Sequence, residues 1–102
     1  MLTVSTLEID LPMAVDVSVS EDTLSVDLRD GRSLLVPLAW YPRLASSTAK
    51  ERDNWRLIGD GAGIHWEDID EDISTLGLLE GKPSGESQSS FQRWLESRGR
   101  LR

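Results

Sequence analysis

From Ala14 to Leu38 apolar and polar residues alternate so regularly that only β-structure accommodates them. Val15, Val17 and Val19 alternate with Asp16, Ser18 and Ser20, and Leu24, Val26 and Leu28 with Ser25, Asp27 and Arg29. A period of two puts one set on a buried face and the other in water. Ser20-Glu21-Asp22-Thr23 reads as the turn between these two strands. Asp30-Gly31 is a hairpin signal, since a type I′ turn needs positive φ at both central positions. Ser33 to Leu38 forms the next strand, where Leu34-Leu35-Val36 points to burial on both faces or to a bulge. The expectation is an antiparallel meander of three strands. Thr3 to Ile9, with Val4, Leu7 and Ile9, alternates more weakly and reads as an edge strand.

After Trp40-Tyr41-Pro42 the pattern changes. Proline suits the first turn of a helix, where its missing N–H is not needed, so a short turn through Leu44 and Ala45 is expected. Thr48-Ala49-Lys50-Glu51 matches a capping box, with a helix running to about Arg56. Trp55 to Ile58 can already be extended. Gly59 to Gly63 forms a turn, and Ile64 to Trp66 is short and extended. Asp70 is expected to cap a helix from Glu71 to Leu76 that ends at Gly77, with Leu78 and Leu79 entering the core. Lys82 to Ser90 holds serine, glycine and proline without a large apolar residue and reads as a linker between a compact domain (residues 1–81) and a C-terminal helix (residues 91–102). In that helix Phe91, Trp94 and Leu95 stand at i, i+3 and i+4 and share one face.

Charge narrows the partners. The chain of 102 residues carries a net charge of −7. Residues 1–81 hold 6 basic and 16 acidic side chains, whereas residues 82–102 hold 5 basic and 2 acidic. An acidic body does not suit nucleic acid, because phosphate binding needs clustered Lys and Arg. There is no cysteine, which removes thiolate chemistry and a disulfide framework. No apolar run approaches the ~18 residues of a membrane span, and no secretory signal is visible at the N-terminus. The expectation is a single-domain cytoplasmic α+β protein.

The candidate chemistry lies in Gly59–Ile73. His65, the only histidine, stands beside Trp66, and five of the six residues Glu67–Asp72 are acidic. A histidine oriented by a carboxylate can act as a base or a metal ligand, which makes His65, Trp66, Asp68, Asp70 and Asp72 the candidate site. The plainer reading is that His65 holds the turn and the acids are a solvated helix start. Asp68, Asp70 and Asp72 begin like a calcium loop, but Ile73 occupies the glycine position and Leu79 the final glutamate position. Neither a metal nor another cofactor is expected. Gly59, Gly61 and Gly63 lack the spacing and following helix of a phosphate cradle. Ser46, Ser47 and Thr48 near Arg43 and Arg52 can hold an anion or simply cap a helix. No catalytic residue is assigned.

Several segments together resemble the small bacterial family called domain of unknown function 2442. They are Leu24–Arg32, Trp40-Tyr41-Pro42-Arg43-Leu44, Glu51-Arg52-Asp53-Asn54-Trp55, and Gly61–Ile73 with Leu78-Leu79. The resemblance covers roughly residues 14–81 and rests most on Gly61-Ala62-Gly63-Ile64-His65-Trp66 followed by Ile69-Asp70 and Asp72. It implies a compact α+β fold with an antiparallel sheet and no established enzyme activity. Such genes often stand beside a second small gene, in an arrangement like a toxin–antitoxin pair. Some relatives carry a helix-turn-helix after the domain; the 21 residues beyond Gly81 are too few for one, so DNA binding is not carried over.

The functional expectation is therefore a non-enzymatic protein-interaction domain, with an antitoxin-like role as its concrete form. Phe91, Trp94, Leu95 and Arg98 would bind a protein partner or a second copy, and docking of this kind is favoured over packing on the chain's own body. The alternative is a small-ligand-binding or metal-dependent enzymatic domain using His65 and the Glu67–Asp72 run.

Overall fold

The computed structural model describes residues 12–99. Two antiparallel sheets of three strands share one core. The first consists of β1 (Ala14–Val19), β2 (Thr23–Leu28) and β3 (Ser33–Pro37) in sequential order. The second consists of β4 (Trp55–Ile58), β5 (Gly63–Trp66) and β6 (Glu71–Ser74), also sequential. Between the sheets run two short helices, α1 (Pro42–Ala45) and α2 (Ala49–Asp53); α3 (Thr75–Leu79) and α4 (Gln88–Gly99) follow. This is the α+β class that the alternation and the family resemblance imply. The N-terminal strand expected over Thr3–Ile9 lies outside the described residues, as do Arg100 and Arg102.

The meander forms with three adjustments. A bulge shifts the register of β1 between Ala14 and Asp16. The extra residue reverses the phase of the alternation, so Ala14 and Val17 are buried while Val15 is exposed. In β3, Leu34 and Val36 pack inward and Leu35 is 70% exposed, so this strand buries one face only. The β2–β3 hairpin does not use a type I′ turn. Gly31 alone has positive φ (97°), Leu28 N–H donates to Arg32 O across a longer loop, and the Asp30 carboxylate accepts from the backbone N–H and Nε of Arg32.

Helix α2 begins as its sequence dictates. Thr48 Oγ1 accepts from Glu51 N–H, and Glu51 Oε1 accepts from Thr48 N–H, at 3.1 and 2.9 Å. It ends at Asp53 rather than Arg56, and Trp55 starts a strand. Tyr41 and Leu44 are buried, and Trp40 and Trp55 pack against the core from its edge.

The largest correction concerns Glu71. Glu71–Ser74 is strand β6, not the first turn of a helix. Asp70 is not a helix cap but a left-handed residue (φ 53°, ψ 53°) that ends a 3₁₀ turn. Tertiary pairing overrides the local signal: Trp66 pairs Glu71, His65 pairs Asp72, Ile64 pairs Ile73 and Gly63 pairs Ser74. The helix that follows is capped by Ser74, whose Oγ accepts from Gly77 N–H at 3.0 Å. Gly77 therefore sits inside α3. Leu78 is buried and Leu79 packs against the core, as expected.

Gly61 joins the two sheets. It has φ +97°, and a Cβ there would collide with the backbone of Ala14 in β1. Only glycine meets both conditions. The turn is tied to α3 by Thr75, which is 1% exposed: its Oγ1 donates to Gly61 O at 2.7 Å and its N–H donates to Ala62 O. Thr75 thus performs the tie that the sequence reading gave to His65.

Candidate functional site

Cross-strand pairing sorts the second sheet into two faces. Directly paired residues share a face, and neighbours along a strand alternate. Leu57, Ile64 and Ile73 form one inward row, and Trp55, Trp66 and Glu71 the next. The row Arg56, His65, Asp72 points outward. The candidate residues of the acidic stretch are therefore separated by the strands.

His65 and Asp72 meet on the outer face. His65 Nδ1 lies 2.5 Å from Asp72 Oδ1, and Nε2 lies 3.5 Å from Glu67 Oε1. Arg56 Nη2 reaches the same Glu67 oxygen at 3.6 Å. The imidazole is only 16% exposed, while both carboxylates are more than half exposed. One carboxylate thus orients the ring through Nδ1, an arrangement suited to a base at the other nitrogen. Beside it opens a shallow cleft of about 400 Å³ lined by Ile58, Gly59, Gly63, Asp72 and Ser74.

The other three residues serve structure. Trp66 is fully buried, and its Nε1 donates to Arg52 O at 3.0 Å. Asp68 Oδ2 accepts from Asn54 Nδ2. Asp70 contributes its backbone: its carbonyl accepts from Arg43 Nη1 at 3.2 Å. Among the described residues no group of three or more His, Cys, Asp or Glu side chains is placed to hold a metal ion. Of the serines near Arg43, Ser47 is committed elsewhere. Ser47 Oγ donates to Arg43 O, and Arg52 donates to Leu44 O and Ala45 O at the end of α1.

A second polar centre carries the C-terminal segment. Arg43 extends from α1 between the body and the connection to α4. Its Nη1 donates to Ile69 O and Asp70 O, and its Nε and Nη2 hold Glu86 at 3.0 and 2.6 Å. Both side chains are nearly buried, 17% and 11% exposed. Arg43 holds the Glu86 carboxyl below the usual carboxylate range, and Glu86 in turn raises the guanidinium. The connection is fastened at two further points: Tyr41 Oη donates to Lys82 O, and Ser84 N–H donates to Trp40 O.

Helix α4 begins at Gln88, earlier than the pattern of Phe91, Trp94 and Leu95 suggests. It lies on the chain's own body, where the sequence reading favoured docking elsewhere. Trp94 packs against the core, and the guanidiniums of Arg98 and Arg43 stand 4.6 and 5.4 Å from its ring centroid. Phe91 stacks on Trp94 at 5.8 Å. Arg98 donates to both oxygens of Glu51, at 3.1 and 2.8 Å. That hydrogen bonding lowers the Glu51 pKa. Glu51 thus caps α2 and anchors α4 with one carboxylate.

Glu71 was legible in the sequence only as one acid among five. The register puts it beside Trp66 on the inner face, where burial pushes its carboxyl up to about 7; Arg43 opposes the shift and Glu86 adds to it. The pairing of Arg43 with Glu86 likewise gave no sequence signal, because it spans 43 residues.

The fold has solved counterparts. It is similar to a protein of unknown function from Rhodospirillum rubrum ATCC 11170, with TM-score 0.65 and 25% identity over 80% of this chain and 99% of that one. It is also similar in fold to an uncharacterized protein from Chromobacterium violaceum, with TM-score 0.65 and 21% identity over 87% of this chain and 82% of the other. No curated protein matches the chain. Residues 14–84 match the model described as Protein of unknown function (DUF2442), and the chain belongs to that family.

Proposed function

We propose that this protein is a non-enzymatic protein-interaction domain in which α4 engages a protein partner. One observation carries the reading. Among the twelve residues of α4 none is fully buried, and the helix is held to the body by Trp94 and by ion pairs at Arg98 and, through the connection, Glu86. An aromatic anchor with arginines around it resembles the energetic centre of a protein interface more than the interior of a domain. Phe91 and Leu95 are half-buried and stand beside that anchor. The concrete form is an antitoxin-like role in the bacterial cytoplasm, with a partner encoded beside it or a second copy of the chain. Among the described residues no helix is long and apolar enough to cross a membrane.

The test is co-expression with the product of the adjacent small gene, followed by co-purification and light scattering. The paired change Phe91→Ala with Leu95→Ala should abolish the complex or the dimer while the body stays folded. If that variant keeps the assembly of the parent, α4 is not the docking element. The alternative, a small-ligand site at His65, is favoured by the oriented imidazole beside an open cleft. It predicts ligand-induced chemical shifts at His65 and Gly63 in a fragment screen, lost in Asp72→Asn.

A further inference from the structure

Glu71 is the charged residue most at odds with its surroundings. It faces the core beside Trp66 by register, yet among the described residues no hydrogen bond or ion pair reaches its carboxylate. It lines a cleft of about 200 Å³ between the body, where Tyr41 and Ser74 flank it, and the connection to α4, from Lys82 to Gly85. The connection therefore forms one wall of the space that Glu71 occupies. That wall is fastened by Tyr41 Oη to Lys82 O, by Ser84 N–H to Trp40 O, and by Glu86 to Arg43.

We propose that Glu71 is a proton-operated latch for α4: protonated, it lets the connection close over it; ionised, it drives the connection and α4 off the body. The functional meaning of release rests on the reading of α4 as the docking element.

Charges act on Glu71 from every neighbouring element. From α1, Arg43 favours ionisation. From the connection, Glu86 opposes it, while Lys82 is engaged by Glu80 at 2.9 Å. From its own strand and the preceding turn, Asp72 and Asp70 oppose it. Tyr41 is neutral, its phenol pushed up by burial and by Glu71 itself. When the connection lifts, Glu71 regains water and loses Glu86, so its proton is held more weakly in the released form. The sign follows from linkage. A carboxyl raised from 4.5 to about 7 in the closed form favours closure fully below 4.5, and that advantage is lost as pH rises toward 7. Glu86 and Glu51, both lowered, act oppositely and weaken closure only below 4.5. Closure is thus tightest near pH 5 and loosens toward neutrality.

The test follows the backbone amides of α4 in the full chain by heteronuclear NOE, from pH 5 to pH 8. The released-to-closed ratio should rise about tenfold or more over that range, with the sheets unchanged. Glu71→Gln should keep α4 closed throughout. Equal order of α4 at both pH values overturns the latch, and so does the same pH response in Glu71→Gln. Should that variant not fold, the carboxyl carbon of Glu71 in the unaltered chain decides, since a midpoint near 4.5 also overturns the proposal. Partner binding that is strong but independent of pH leaves the interaction reading intact and removes the latch. A pH-driven release with no partner bound does the reverse.

Discussion

The two sheets are built by one rule and carry different loads. In the first, the residues facing the core are apolar throughout: Val17, Leu24, Val26, Leu28 and Val36. Its outer face holds polar contacts between neighbours, such as Ser33 Oγ to Asp27 at 2.7 Å. In the second, a carboxylate stands in the inner face at Glu71, and a histidine–carboxylate cluster stands on the outer one. Polar groups cost stability when taken out of water, so a protein under no further demand would fill the inner face with aliphatics, as the first sheet does. The difference is one of content: the first sheet buries apolar side chains alone, whereas the second carries charged groups on both faces. Both polar clusters, Arg43 with Glu71 and Glu86, and His65 with Asp72, draw a carboxylate from β6.

The sharpest way to test the division is to remove a large core residue from each sheet. Trp66→Ala loses the fully buried indole and its bond to Arg52 O. It should cost roughly 3–5 kcal/mol in denaturant unfolding, and it should also loosen α4, because Trp66 shares a row with Glu71. Leu24→Ala should cost about 2–5 kcal/mol without a separate effect on α4. If both variants disturb α4 equally once corrected for stability, the sheets are not functionally distinct.

The seam between the sheets comes next. Gly61→Ala meets positive φ and the Ala14 carbonyl together. A loss of roughly 1–3 kcal/mol is expected, larger than for Gly31→Ala, which has positive φ but no neighbour within 4 Å. Equal losses at the two glycines would mean that the close approach of β1 contributes nothing. Ser74→Ala removes the cap of α3 and should cost about 1 kcal/mol. The change expected from sequence to matter as a cap, Asp70→Ala, removes none; Asp70→Gly should be neutral or stabilising because it relieves a left-handed residue.

The first sheet was legible because its information is local. Alternation, a turn and a hairpin signal lie within 25 residues, and the departures there are small: the bulge at Val15, the single buried face of β3 and the turn type at Gly31. The capping box at Thr48 was legible for the same reason. Two strands of the second sheet, Trp55–Ile58 and Ile64–Trp66, were legible as extended segments; its third was not, because Glu71-Asp72 after Asp70 reads locally as a helix start, whereas pairing with His65 and Trp66 makes it a strand. Of the candidate site, His65 and Asp72 were identified and are brought together. Trp66, Asp68 and Asp70 are not part of that cluster. The meeting of Arg43, Glu71 and Glu86 stayed hidden, since nothing within a few residues of any of them indicates the others. The stripe Phe91, Trp94, Leu95 gave the apolar side of α4 but not the surface under it.

The smallest effect concerns the outer cluster. The pair His65–Asp72 is short at 2.5 Å, but Asp72 is 66% exposed and water competes for its carboxylate. Exposed pairs contribute about 0.2–1 kcal/mol, and Glu67 shares the imidazole from the other side at 3.5 Å. A double-mutant cycle with His65→Gln and Asp72→Asn should therefore give a coupling below about 1 kcal/mol and leave α4 undisturbed. Such weak coupling would mean that the cluster is not needed to hold the fold. A coupling of several kcal/mol would instead make the cluster a structural clamp. The contrast between the sheets would then rest on Glu71 alone.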